Sequence, residues 1–194
     1  MKLLHLILFS VSTTLCLAGE AKPNLNDPVT LEQIMAQAIN EDELRKRGEE
    51  GAQLYYAPNS QTPYTGWVVK HVPNLRASLS ILSRLYQLKD GKLHGLWTKW
   101  HENGQKSGEA NYVDGKAHGL ETWWYENGQK SSETNYVDGK LHGTDTRWFD
   151  NGQKGRESNL KDSRRHGLET EWDKEGNVTR QVRYENGQQV ETIK

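Results

Sequence analysis

From Asp90 onward the sequence copies itself every 24 residues, and no other feature constrains the fold as much. His94-Gly95, His118-Gly119, His142-Gly143 and His166-Gly167 mark the phase, and Trp100, Trp124, Trp148 and Trp172 each follow six positions after a His. Asn103-Gly104, Asn127-Gly128 and Asn151-Gly152 run in step, with Glu175-Gly176 in the fourth copy. Each unit is an Asp-Gly-Lys turn, one stretch, an Asn-Gly-Gln turn, and a second stretch ending at Tyr112, Tyr136, Leu160 or Tyr184. Two stretches joined by Gly-bearing turns form a β-hairpin, and hairpins in series form a meander. The expected fold is mainly β, an antiparallel meander of 24-residue hairpin repeats with one N-terminal helix.

Loop parity sets which residues oppose each other, since a one-residue slip turns every side chain to the other face. A two-residue Asn103-Gly104 loop opposes Trp100 to Ser107 and Thr98 to Glu109, which mixes apolar and charged groups on both faces. A three-residue Asn103-Gly104-Gln105 loop instead opposes Trp100 to Gly108, Thr98 to Ala110 and Leu96 to Tyr112. The cleaner patterning selects the second loop. It predicts one dry face carrying the four phased Trp, with Arg156 and Arg180 stacked beside Trp148 and Trp172, and a wet face of Lys99, Glu109, Glu133, Arg147 and Glu157.

Residues before the repeats divide by composition. Met1-Lys2 is a short basic start, and Leu3 to Leu17 is an apolar run of 15 residues, shorter than the roughly 20 that span a bilayer. Residues 1–18 read as a signal peptide cleaved after Ala18, which places the chain outside the cytoplasm, secreted or periplasmic. The bulky Leu15 before Cys16 argues against lipidation there, and with Cys16 removed no thiol remains for a disulfide or a zinc site. Residues 19–50 read as a linker and a helix from about 31 to 47, with Thr30 and Gln33 as a capping box and Leu31, Ile34, Met35, Ala38 and Ile39 at helical spacing. Residues 51–89 read as a divergent first repeat, in which Tyr55 to Pro58 and Pro63 to Val69 are two short strands around a turn, and residues 90–194 hold the four regular copies.

The unit Asp90 to Lys106, Asp-Gly-Lys-Leu-His-Gly-Leu-Trp-Thr-Lys-Trp-His-Glu-Asn-Gly-Gln-Lys, resembles the MORN repeat variant of bacterial proteins labelled YwqK-family antitoxins. The segment from Leu54 to Gly66 resembles the opening of the same proteins, so the likeness runs from about 54 to 190. It implies β-hairpin repeats used as an interaction scaffold, with no catalytic residue. Residues 74–89 depart from the pattern, as do Glu175 in place of the turn Asn and Asp162-Ser163-Arg164 in place of Asp-Gly-Lys.

Chemistry is sparse in the repeats. Equivalent histidines fall two strands apart, about 9.6 Å, while ligands of one zinc ion at 2.0–2.1 Å lie within roughly 4 Å of each other. His94 and its copies are therefore expected to hold turns, and no metal or cofactor is expected. Glu109, Glu133 and Glu157 recur at the same interval, near the upper limit for a carboxylate pair in an envelope glycan hydrolase, but on an open face beside Lys and Arg. A non-enzymatic reading is preferred. Lys plus Arg (25) against Asp plus Glu (26) gives no basic surplus for nucleic acid. Trp97, His101, Trp123, Tyr125 and Phe149 form the candidate binding face, an aromatic row suited to a partner protein or an envelope polymer. The alternative function is that of an exported antitoxin or immunity protein. The edge strand after Tyr184 offers pairing to a second copy.

Overall fold

The structure is a computed structural model that describes residues 22–50, 52–74 and 79–194; the expected signal peptide and Cys16 lie outside them. The chain opens with helix α1 (Pro28–Gln37), followed by β1 (Ile39–Asn40), a 3₁₀ turn over Glu41–Glu43, β2 (Arg45–Arg47) and β3 (Leu54–Tyr56). Two long strands follow, β4 (Gly66–Asn74) and β5 (Leu79–Lys89). The regular repeats supply β6 (Lys92–Trp100), β7 (Lys106–Val113), β8 (Lys116–Ala117), β9 (Gly119–Trp124), β10 (Lys130–Val137), β11 (Lys140–Trp148), β12 (Lys154–Lys161), β13 (Arg164–Trp172), β14 (Val178–Glu185) and β15 (Gln188–Thr192).

The helix is shorter and begins earlier than its apolar spacing predicts. Asp27, not Thr30, is the cap: its carboxylate accepts from the Thr30 N–H at 3.0 Å, and Pro28 occupies the first turn, where its missing N–H costs nothing. Ala38 turns extended because Ile39 and Asn40 pair in parallel with Val68 and Val69. Asn40 then accepts from the Asp42 N–H and starts the 3₁₀ turn. Pairing with β4 thus overrides helical propensity after Gln37. The expected hairpin around residue 60 is also replaced. β3 pairs with β2, whereas β4 pairs with β1 and β5.

From β4 to β15 consecutive strands pair antiparallel, except that β8 and β9 both pair with β7 as two pieces of one interrupted strand, and with β1 they make one sheet of 13 strands. Two turn types alternate. At the Asp-Gly-Lys ends, Asp90 and Gly91 have φ of 49° and 74°, the two-residue turn that suits twisted strands. At the Asn-Gly corners the His101 N–H donates to the Gln105 carbonyl at 2.8 Å and the Gly104 N–H to the His101 carbonyl at 3.0 Å, with Gly104 at φ 82°. The loop is therefore the three residues Glu102-Asn103-Gly104.

The strand beyond that loop contradicts the expected faces. Trp100 pairs with Lys106 but Lys99 pairs with Gly108, so Ser107 is an extra residue in a bulge. Ser131, Gly155 and Thr179 are skipped in the same way in the later copies. An odd loop plus one extra residue restores the even register: Thr98 faces Glu109 and Trp97 faces Ala110. The second strand of every hairpin is flipped relative to expectation. Trp100, Trp124, Trp148 and Trp172 still share a face with Thr98, Thr122, Thr146 and Thr170, but Tyr112, Tyr136, Arg156 and Arg180 lie on the other.

The N-terminal segments cover both faces of the first strands. On one face Leu25, Leu31, Ile34, Met35 and Ala38 pack on Val69, Leu85, Leu96 and Trp100. On the other, Leu44, Ile39, Tyr55 and Tyr64 pack on Val68, Tyr86, Leu88 and Trp97. Val68 and Leu85 are fully buried, each contributing about 1.5–3 kcal/mol. Both clusters stop at β6. Further along, the central row is buried by its own neighbours: Thr122, Thr146 and Thr170 alternate with Glu133 and Glu157, whose carboxylates hold Lys130 and Lys154 three residues back. Each repeat thus relies on the next, as in solenoids.

Candidate functional site

The turn ends lock neighbouring repeats together. Asn103 accepts from the Gln105 N–H and donates to the Glu126 carbonyl at 2.9 Å; Asn127 and Asn151 repeat both bonds one and two units later. In the fourth copy, where Glu175 replaces Asn, Asp173 accepts from Glu175 and Asn177 instead, and those bonds lower its pKa. Opposite, the His94 Nδ1 lies 3.3 Å from Asp114 of the next Asp-Gly turn, and His118 lies 3.5 Å from Asp138. Among the described residues no group of three or more His, Cys, Asp or Glu is placed to hold a metal.

The five residues of the aromatic row separate into two sets, and none is exposed. His101 Nε2 lies 2.9 Å from the Trp124 carbonyl, and the Tyr125 hydroxyl donates to the Trp148 carbonyl at 2.7 Å. Phe149 lies against Gly155, with the Lys174 ammonium 5.8 Å from its ring centre. These three tie one repeat to the next. Trp97 and Trp123 stand apart from them, their ring centroids 5.6 Å apart over Gly108. The guanidinium groups of Arg156 and Arg180 do not stack on Trp148 and Trp172; Trp148 receives the Lys130 ammonium at 5.8 Å.

The face bearing Trp97 and Trp123 carries a row that parity concealed. Glu121, Asp145 and Glu169 recur at the 24-residue interval and oppose Thr134, Ser158 and Val182 across the strands. Period alone could have found them, since acidic residues recur at this phase in three copies. Their surroundings differ. Glu169, 2% exposed, accepts from Arg156 Nη2 at 2.6 Å and Ser158 at 2.8 Å, with Arg165 Nε at 3.2 Å and Arg180 Nη1 at 3.1 Å. Burial pushes its pKa up, but the bonds from Ser158 and Arg156 and the charges of Arg156 and Arg165 outweigh that and hold it below the ordinary value. Asp145 accepts from Thr134 at 2.7 Å and has Arg147 at 3.7 Å. Glu121 receives the Trp123 indole N–H at 2.5 Å.

A family model described as the MORN repeat variant matches residues 93–114, 117–138 and 165–186. The chain carries MORN repeats. Each match covers a first strand, the corner loop (Asn-Gly in two of them, Glu175-Gly176 in the third) and a second strand, which is the unit the hairpins build. The MORN phase continues through the copy between the second and third matches, where β11 and β12 keep the same bulged register. No curated protein matches the sequence. MORN repeats suggest a scaffold or binding role, and among the described residues no helix is long and apolar enough to cross a membrane.

Proposed function

We propose that this protein is an exported, non-enzymatic scaffold that docks a protein or an envelope polymer on the faces of its MORN sheet. One observation carries the reading: the apolar packing of the N-terminal segments covers both faces of β4 to β6 and ends there, with Lys22 reaching Glu109 of β7 at 3.9 Å, so that one module caps the array while the later repeats present ordered side chains on both sides. Capping of one end is what a stacked repeat needs for solubility and stability. Export rests on the apolar run from Leu3 to Leu17 followed by Ala18. The recurring carboxylates support binding over hydrolysis: Glu109, Glu133 and Glu157 are paired with lysines, and Glu169 with arginines.

Photocrosslinking tests this. Benzoylphenylalanine placed at Ser132 or at Thr144, on opposite faces of the array, should give discrete adducts with envelope components, and the same group at Lys46 in the cap should not. Adducts from Lys46 alone, or none from either face, would refute the scaffold reading.

A further inference from the structure

The last repeat holds a guanidinium-binding arrangement that an earlier repeat keeps half empty. Around Glu169, cations come from Arg156, Arg165 and Arg180, and Tyr184 completes the group: its hydroxyl lies 3.0 Å from Arg165 Nη1, and the Arg165 guanidinium sits 5.1 Å from its ring centre. Two repeats earlier, 48 residues back, the same positions read Glu121, Gly108, Ala117, Ser132 and Tyr136. The carboxylate and the tyrosine are kept. Every arginine is replaced by a small residue.

The result is an open concavity whose lining includes Glu121, Trp123, Ser132, Tyr136, Asp145 and Arg147, with the Arg147 guanidinium 3.7 Å from Asp145. Glu121 accepts a hydrogen bond from the Trp123 indole and forms no ion pair among the described residues, whereas its counterpart Glu169 collects three cations. Its charge, after burial itself, is what raises the pKa of Tyr112 and contributes to the rise at Tyr136, so the negative potential reaches both rings. Trp123 and Tyr136 give the lining its rings, Arg147 sits beside Asp145, and Glu121 is the carboxylate left over. A planar guanidinium suits the rings and Glu121 together, because its fork pairs with a carboxylate while its faces stack on rings.

Resting on the scaffold reading, we propose that this concavity receives an arginine side chain of a partner protein, which supplies in trans the cation that Arg180 and Arg165 supply in cis to Glu169. The probe is acetyl-Gly-Arg-Gly-amide titrated into the full chain, with the citrulline analogue as the uncharged isostere and the lysine analogue as the ammonium. The Trp123 indole N–H signal should shift saturably with the arginine peptide and not with citrulline. Glu121→Gln should weaken the arginine peptide about tenfold or more, and Ser132→Arg, which restores the Arg180 position, should block it while raising the melting temperature. Equal binding of arginine and citrulline peptides, equal binding of arginine and lysine peptides, or binding unchanged in Glu121→Gln would each overturn the inference. If Glu121→Gln also unfolds, blockade by Ser132→Arg decides alone. Persistence of the Ser132 photoadducts alongside a failed peptide titration would leave the scaffold reading standing and remove only the arginine site.

Discussion

The indole rings of Trp97 and Trp123 meet at a centroid distance of 5.6 Å with their planes inclined by 59°, and the strand between them passes beneath at Gly108. A Cβ at that position would fall 2.7 Å from Cζ3 of Trp123 and 3.1 Å from Cζ3 of Trp97. Gly108→Ala is therefore expected to cost about 1–3 kcal/mol by overpacking, and to abolish the far-ultraviolet exciton couplet of the paired indoles in the circular dichroism spectrum. Urea denaturation and the dichroism spectrum check both. An unchanged couplet would contradict the even register of this hairpin.

Glu169 makes stability depend on acid. Its pKa is lowered from the ordinary 4.5, so the stability it contributes is complete above that value and is lost as the pH falls through the lower folded value. Glu169→Gln should remove this acid-dependent part and flatten the curve of stability between about pH 5 and pH 2. At neutral pH the variant should be less stable by about 2 kcal/mol, because three partly exposed guanidinium groups lose their common carboxylate. Denaturant midpoints measured across that pH range decide the point.

Two corner glycines separate backbone strain from steric clash. Gly104 has φ 82° with nothing within 4 Å of an added Cβ, so Gly104→Ala should cost only the left-handed backbone, about 1–2 kcal/mol. Gly91 has φ 74°, but there a Cβ would lie 2.9 Å from Leu54 Cβ and from the Tyr55 backbone N and O. Gly91→Ala should cost clearly more and detach β3 from the turn. Equal midpoints for the two variants would show that the β3 contact contributes nothing.

Tyr125 is a tie between repeats. The bond from its hydroxyl to the Trp148 carbonyl is lost in Tyr125→Phe, at an expected cost of about 1 kcal/mol. Trp124→Ala removes a half-buried ring of the phased set and should cost more, about 2–4 kcal/mol. Thermal melts of the two variants rank them; a Tyr125→Phe protein with wild-type stability would return that side chain to the list of free contact residues.

The amino-acid sequence by itself determined the period, the hairpins and the phase. Asp-Gly and Asn-Gly pairs at fixed spacing demand residues of positive φ there, and the chain delivers them at Asp90, Gly91 and Gly104 and their copies. The four Trp six residues after each His land on one face because repeat length and strand alternation are local properties. What only the tertiary structure decided is the partner strand. The bulge residues Ser107, Ser131, Gly155 and Thr179 are all small but not one fixed type, and residues this common do not mark a bulge by themselves. Both faces of this thin sheet also mix polar and apolar residues, which removes the pattern that normally fixes register. Interstrand hydrogen bonds made the choice, turning Tyr112 and Tyr136 toward Glu121 and Arg156 toward Glu169. The helix ended at Gln37 for the same reason: Ile39 and Asn40 had a strand to pair with, and propensity carries no knowledge of distant neighbours.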